Sequence, residues 1–496
     1  MESAGSAGHM KEEFISSAKR VSDVIWEVPK TFKEGMQVPA RMYATEKLMK
    51  DMDDTVFNQL INVACLPGIV KHALCMPDAH SGYGFPIGGV AAFDPENGGI
   101  ISPGGIGFDI NCGMRLLTTN LTLKEVKPKI NPLVDELFKL VPAGVGSKGF
   151  VKLSVSQLQE VMERGVDFSI EQGYGWKEDA KNIEEYGCIK GADSSKVSEK
   201  AVQRGLAQLG TLGSGNHYLE VQFATMGNIY DKSTAKAFGI TEPDQIVVMV
   251  HCGSRGFGHQ IGTDYLKIFG SAMKKYGITV KDPELACAPF KSNEGQDYFK
   301  AMACAANLAF CNRQVIAHQI REAFSKVMGR TAEEMEMNLV YDVAHNIAKL
   351  EKHDVDGENR ELIVHRKGAT RCFGPSRKEL PAHFRKTGQP VIIGGSMETG
   401  SYLLAGLDAS EETWGSTMHG SGRTMSRTKA KHMVRGEDLQ KELDKKGIHV
   451  KTVSFSGLAE EAGFAYKDIN EVVETMEIAG ISKKVVALKP LGNVKG

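Results

Sequence analysis

Residues 65–120 constrain the fold more than any other stretch, because apolar runs there are broken by glycine at close intervals. Examples are CLPGIVKHALCMPDAHSGYGFPIGGVAAF and GGIISPGGIGFDINCGMRLLTTNL. Runs of this kind, bounded by Gly and Pro, suit buried strands joined by tight turns. Glycine supplies 54 of the 496 residues, about 11% against an average near 7%. Such an excess goes with tight turns and with backbone that approaches ligands closely.

The rest of the chain mixes both periodicities. Ile25–Trp26–Glu27–Val28 resembles a short strand, and residues 123–205 place apolar side chains three or four apart, as in INPLVDELFKLV and VSQLQEVMERGV, which predicts helices. Strands are expected at NHYLEVQF and QIVVMVHC, helices at about 259–275 and 294–328, and short strands at 361–366 and 390–394. A glycine-rich turn is expected at 394–400, a helix at about 433–446 and a basic strand at the tail, ISKKVVALKPLGNVKG. No βαβ rhythm runs through these elements, so neither a TIM barrel nor a doubly wound sheet is favoured. The reading is one large α+β domain over residues 11–496 with a mostly helical insertion near 123–205. Residues 1–10, MESAGSAGHM, read as an expression-tag remnant.

Composition excludes several classes. Hydrophobic residues make up 42% of the chain, enough for a sizeable core, which argues against disorder. Sixty Lys+Arg against 61 Asp+Glu exclude a globally basic nucleic-acid coat but leave room for a local basic groove. Neither a membrane-length apolar run nor a signal peptide is present, so a cytoplasmic protein is expected. Nine cysteines, irregularly spaced and without a CxxC pair, fit neither a disulfide framework nor a zinc ribbon.

Chemistry is concentrated around histidines. Five of 14 sit where an apolar run gives way to Gly or Asn: His80, His217, His251, His345 and His419. Strand ends are a common location for ligands and catalytic groups, so these five are candidates for one shared site. FDINCGMRL adds Asp109 and Cys112, three apart on an expected tight turn. Carboxylate, thiolate and imidazoles together suit Zn²⁺, Mn²⁺, Co²⁺ or Fe²⁺; a turn-forming Asp and a core Cys would fit the same segment. RTMSRTKAKHMVR, residues 423–435, carries five Lys/Arg and no acid, and HRKGATR adds Arg366, Lys367 and Arg371. Both clusters suit phosphates, although a solvated face would also carry such a run. Two GxGxxxG stretches, Gly82–Gly88 and Gly256–Gly262, are explained by turns about as well as by a dinucleotide site. No Walker GxxxxGK[ST] and no KxDG motif occurs.

The set MPDAHSGYGFPIGG, SPGGIGFDINCG, LGSGNHYLEVQ, HCGSRGFGHQ, YDVAHNIAK, HRKGATR and HGSGR resembles the RtcB family of RNA-splicing ligases, from about residue 20 to the C-terminal VKG. The resemblance implies a single domain with mixed β-sheets around a central metal and nucleotide site. It implies an enzyme that seals RNA ends carrying a 2′,3′-cyclic phosphate or 3′-phosphate to a 5′-hydroxyl, using GTP and two Mn²⁺ ions. Split tRNA halves are the expected RNA, and the small protein archease an expected stimulator. By motif, the metal ligands fall on Asp109, Cys112, His217, His251 and His345, and the histidine that takes GMP falls on His419, prepared by Asp78. The guanylate pocket falls on Asn216, His217, Tyr218, Leu219, Glu220, His345, Asn346, Gly394, Gly395, Ser396, Met397, Ser401, His419, Gly420, Ser421, Gly422 and Lys495. Four positions depart from the family pattern: Met418, Glu398, Cys252 and the segment RCFGP. Glu398 matters most, since it is expected to add a carboxylate beside the guanylate. Two other classes use the same residues, a dinuclear metal phosphohydrolase and a non-catalytic RNA-binding subunit. Neither needs a nucleophilic His419 with its pocket.

Overall fold

The apolar runs of residues 65–120 become strands of two different sheets in the computed structural model, which describes residues 10–496. Of the segment set aside as a tag remnant, residues 1–9 lie outside the described residues, and Met10 opens the helix Met10–Ser17.

Ala73–His80 and Ile87–Phe93 are central strands of a seven-stranded sheet. Its order is Lys19–Ser22, Ile25–Val28, Ala40–Tyr43, Ala73–His80, Ile87–Phe93, Glu358–Lys367 and Asn346–Val355. All neighbours are antiparallel except Ala40–Tyr43 with Ala73–His80. Gly113–Thr122 belongs to an eight-stranded sheet, in the order Leu339–Ala344, Gly113–Thr122, Gln245–Cys252, Tyr218–Ala224, Ser482–Lys495, Ser401–Gly406 and Pro390–Ile393. The eighth strand, His449–Thr452, runs parallel to the end of Ser482–Lys495. Val343 of one edge strand and Ile392 of the other share one apolar cluster, so this sheet curls around its own core.

The chain crosses from the second sheet to the first at a single residue. Leu339–Ala344 ends, His345 intervenes, and Asn346–Val355 begins. Cys112, His217, His251 and His419 collect around this crossing.

Between the sheets' apolar clusters runs a helix of 36 residues, Asn293–Met328. Ser292 caps its first turn by accepting the Gly295 N–H, and Gly329 ends it in the left-handed conformation. Phe310 packs into one cluster and Ile316 and Ile320 into another, so little of the helix faces water. Residues 123–205 are mostly helical: the helices Ile130–Leu140, Val155–Arg164, Val166–Glu171 and Glu199–Gly205 are accompanied by 3-10 turns at Lys177–Asn182, Glu184–Gly187 and Ser194–Lys196 and by a long connection over 141–154. Leu133 and Leu137 pack with Leu491 and Val494 of the C-terminal strand, and Leu158 and Val161 join the largest core. The segment is therefore built into the domain.

The C-terminal strand spans Ser482–Lys495 although it contains Pro490, which lacks a ladder donor. A register shift between Pro490 and Gly492 absorbs it as a bulge. All nine cysteines are free. Among the described residues no helix is long and apolar enough to cross a membrane.

Candidate functional site

Each of the five candidate histidines sits where a strand begins or ends, and the site follows from those positions. His80 closes Ala73–His80, His217 precedes Tyr218–Ala224, and His251 is the penultimate residue of Gln245–Cys252. His345 is the crossing residue, and His419 follows the short strand Ser416–Met418. Cys112 immediately precedes Gly113–Thr122 and closes a turn in which its N–H donates to the Asp109 carbonyl at 2.9 Å.

Cys112 is the hub. Its Sγ lies 3.4 Å from His217 Nε2 and 3.2 Å from His251 Nε2. His217 Nε2 lies 2.8 Å from Asp109 Oδ2, and His251 Nε2 lies 3.2 Å from His345 Nε2. Two donor triads result, Asp109–Cys112–His217 and Cys112–His251–His345, and they share the one sulfur. The other ring nitrogens are committed: His217 Nδ1 donates to the Leu212 carbonyl and His251 Nδ1 to the Asn216 carbonyl, each at 2.9 Å. That turns both Nε2 atoms inward, as a second shell does for metal-ligating imidazoles. Although burial opposes it, the neighbouring thiols and Asp109 raise His217 well above the usual histidine range, so its Nε2–H donates to Asp109 until an ion takes the place of that proton. His345 Nδ1 is buried without a partner.

Electrostatics agree with a cation at the hub. Burial, followed by the Asp109 carboxylate, pushes the Cys112 thiol up to about 12, so the thiolate needs a positive partner. Burial, followed by neighbouring imidazoles, holds His251 and His345 well below the usual histidine range, leaving them neutral. Burial opposes ionisation of Asp109, but His217 and then Arg255 override it and hold the carboxyl well below the usual range. Soft sulfur, imidazole and carboxylate donors converging from a dry interior fit two divalent ions bridged by Cys112.

The loops that carry these donors are clamped by Arg313 of the long helix, which is fully buried. It forms a bidentate pair with Asp342, 2.8 Å for each contact, and donates at 2.8 Å to both the Asn111 and Cys252 carbonyls. Those carbonyls adjoin Cys112 and His251. Nothing in the sequence pattern marked Arg313. Arg313→Ala leaves Asp342 buried beside Arg115 alone, and a cost of about 3–5 kcal/mol is expected in denaturant unfolding.

His419 stands beside this centre, its ring 4.9 Å from that of His345. His419 Nδ1 donates to Asp78 Oδ2 at 2.6 Å, and the same oxygen accepts the backbone N–H groups of His419 at 3.0 Å and Gly420 at 3.2 Å. Asp78 is fully buried. This arrangement holds one tautomer and leaves Nε2 free, the geometry of an imidazole nucleophile oriented by a carboxylate.

A cavity of about 720 Å³ opens in front of His419. It is lined by Asn216, Tyr218, Glu220, His251, His345, Asn346, Gly394, Gly395, Ser396, Met397, Gly420, Ser421, Gly422 and Lys495. Strand alternation separates the remaining candidates. Tyr218 and Glu220 face the cavity, whereas the Leu219 side chain lies in an apolar core on the opposite face. Ser401 lies behind the wall, accepting from Gly395 N at 3.3 Å and from Gln222 Nε2 at 3.0 Å. The floor also contains residues the sequence reading passed over. Asn493 donates to Glu220, and Glu461 lies 3.4 Å from Lys495 Nζ. Asn493 could have been found from period two, since it shares a strand face with Lys495. Burial pushes Glu220 up to about 7, whereas Lys495 and Arg427 outweigh burial at Glu461 and hold it at about 2.

Three expectations are corrected. Arg366 and Arg371 are not phosphate contacts: Arg366 is fully buried in a bidentate pair with Glu351 at 2.7 Å, and Arg371 is buried against Glu185 and Gln389. Both lie within strands of the interior, where a charged side chain must be paired. Lys367 lines the cavity but is buried, donates to the Tyr83 and Gly104 carbonyls, and is pushed down to about 7 by burial. Glu398 turns away from the cavity, pairing with Lys446 at 2.7 Å and accepting the Gly463 N–H at 3.2 Å. In the basic stretch, residues 423–427 line the cavity and Lys429 and Lys431 are exposed on the helix Arg427–Met433.

The family model described as "tRNA-splicing ligase RtcB" matches residues 59–496. The chain is 54% identical over 479 residues to the tRNA-splicing ligase RtcB of Archaeoglobus fulgidus, covering 96% of this chain and 98% of that protein. Over 482 residues it is 52% identical to the protein of the same name from Methanococcus maripaludis, covering 97% and 100%. For that of Thermococcus kodakarensis the figures are 53% over 480 residues, with 96% and 98% covered.

Proposed function

The chain belongs to the RtcB family, and from that premise we propose that it is a GTP- and Mn²⁺-dependent RNA ligase. It joins 2′,3′-cyclic phosphate or 3′-phosphate ends to 5′-hydroxyl ends, as in tRNA splicing or RNA repair. The observation that carries the reading is His419, oriented by Asp78 with Nε2 free, at the boundary between two donor triads that share the Cys112 sulfur and a pocket of about 720 Å³. A hydrolase would need the donor set but not the nucleophile and its pocket.

In the proposed reaction His419 Nε2 attacks the α-phosphorus of GTP, and pyrophosphate leaves with the electrons of the broken P–O bond. Asp78 holds the Nδ1 proton throughout and stabilises the positive charge that develops on the ring. A 2′,3′-cyclic end is first opened by water to the 3′-phosphate. An oxygen of the RNA 3′-phosphate then attacks the histidine-bound phosphorus, and the electrons of the broken P–N bond return to Nε2. Finally the 5′-hydroxyl attacks the 3′-phosphorus and gives its proton to solvent, and GMP leaves with the electrons of the broken P–O bond. Two divalent ions held by Asp109, Cys112, His217, His251 and His345 would neutralise phosphate charge when bound. Manganese, archease as a partner and a cytoplasmic location rest on the family resemblance. Glu220 and Asn493 offer an acceptor and amide edge of the kind a guanine base pairs with, and Lys495 supplies a cation beside them.

Intact-mass spectrometry after incubation with GTP and Mn²⁺ tests the proposal: a gain of one guanylate is expected, and an unchanged mass with turnover of phosphate esters would favour a hydrolase. RNA binding should weaken with salt through the exposed basic helix. Lys429→Gln combined with Lys431→Gln should reduce the magnitude of the log–log salt slope by about 1.4, at about 0.7 per phosphate contact on a single strand. An unchanged slope would return this helix to being an ordinary solvated face.

A further inference from the structure

The two GxGxxxG stretches are not used by the donor set or by the guanylate pocket, yet each delivers an aromatic residue to the same place. Tyr83 lies between Gly82 and Gly84 of the first stretch, and His259 lies within Gly256–Gly262 of the second. Between them stands Phe108. Its ring is stacked on His259 with centroids 4.9 Å apart and planes at 26°, and it meets Tyr83 at 5.2 Å. Tyr83 and Phe108 line the cavity, both half-buried, and His259 is exposed beside them.

The glycines make this cluster possible. Gly84 has φ of +71°, and a Cβ there would come within 2.7 Å of the Glu284 carbonyl, so the Tyr83 loop can close only on glycine. Phe108 lies over Gly262 of the helix Arg255–Tyr276. Lys367 fastens the loop from below through the Tyr83 carbonyl.

Two of these rings line the cavity and the third is exposed beside it, so the cluster presents aromatic surface that suits an occupant with a π-face. Glu284 and Asp282 act electrostatically on Tyr83, and their negative field suits an uncharged ring better than a phosphate. Of the basic side chains that line the cavity, Lys367 is committed to the Tyr83 and Gly104 carbonyls and Lys495 lies beside Glu461, while the two guanidinium groups, Arg423 and Arg427, come from a different segment. A strand of nucleic acid satisfies both demands, with bases on rings and phosphates on guanidinium groups. Phe108 immediately precedes Asp109 of the donor set, which puts the rings next to the centre that must hold the reacting phosphate.

We propose that Tyr83, Phe108 and His259 form a stacking platform for the unpaired base of the RNA nucleotide that carries the 3′-phosphate. The proposal rests on the RNA-ligase reading and adds to it a subsite for the end being activated. It makes the enzyme demand a base, of any identity, at the last nucleotide, because stacking reads a π-face and not a hydrogen-bond pattern.

The test uses the full-length protein loaded with Mn²⁺, without GTP, titrated with a short single-stranded RNA 3′-phosphate whose last base is 2-aminopurine. Quenching on binding is expected. Tyr83→Ala and His259→Ala should each bind about tenfold more weakly and lose part of the quench, and Tyr83→Phe should restore both. Replacing the last base by an abasic site should weaken binding to the parent about tenfold while costing Tyr83→Ala much less. Equal abasic penalties in parent and variant would overturn the platform, as would quenching only when the probe sits at the 5′-hydroxyl end. If the parent neither gains GMP from GTP nor binds this RNA, the ligase reading falls and the platform with it. If the parent gains GMP and seals RNA but gives no quench, the platform alone falls.

Discussion

His419→Ala should gain no GMP from GTP and should lose RNA sealing by at least about a thousandfold, since a missing nucleophile typically removes that much or more. The variant should fold. Asp78 keeps the backbone N–H groups of residue 419 and Gly420 on the same oxygen that the imidazole now occupies, so the buried carboxylate is not orphaned. It should also keep its metal, because no triad of donors includes residue 419. The adduct on the parent protein should survive alkali and be lost in acid, the behaviour of a phosphoramidate and the opposite of a phosphoserine ester. RNA guanylylated beforehand at its 3′ end should still be sealed by the variant, because the final displacement no longer needs the imidazole. An acid-labile GMP adduct persisting in His419→Ala would move the nucleophile to another residue and overturn the assignment.

Cys112→Ala should have the second largest effect. The sulfur belongs to both donor triads, so a methyl group there removes a ligand from two ions at once. Metal retained after gel filtration, measured by elemental analysis, should fall for both ions, with affinity reduced by more than about a hundredfold, beyond the loss typical of an outer-shell change. Asp109→Ala touches one triad only, and water can fill a single carboxylate position, so it should weaken one ion and spare more activity. Cys112→Ala that retains both ions and seals RNA would remove the bridge from the assignment. Metal removal from the parent gives an independent reading. With no cation, burial keeps the thiol protonated up to about 12, so alkylation of Cys112 near neutral pH should be slow even with chelator present.

Much of the fold was legible because its elements are locally encoded. QIVVMVHC is a continuous apolar run and is a strand buried on both faces; the stretch 294–328, expected as a helix, lies within the helix Asn293–Met328, which is buried although it carries Asn307, Asn312, Arg313 and Gln314. The candidates that lie together were legible for the same reason, since a histidine at the end of an apolar run is visible in one dimension. The misreadings all concern side chains whose partners lie far away in sequence. HRKGATR reads as a phosphate-binding cluster until Glu351 of the neighbouring strand, Glu185 of a 3-10 turn and Gln389 are brought to it. Glu398 reads as a neighbour of the nucleotide until Lys446 and Gly463 draw it outward. Arg313 carried no signal at all, because a lone arginine on a buried helix has no periodicity to betray it.

The sequence by itself determined many of the strands and helices, though not Asp54–Ala64, Asn346–Val355 or Ser401–Gly406, and it determined which residue types can hold a cation and which histidines stand at strand ends. Those properties depend on alternation, run length and glycine placement within a few residues. Tertiary structure alone decided that one sulfur serves two triads, that Leu219 turns from the cavity its neighbours face, and that Asp78 meets His419 across 341 residues of chain. The physical reason is range. A hydrogen bond of 2.6 Å and a shared thiolate depend on how two sheets meet at His345, and that meeting is set by packing between distant segments, which no local pattern records.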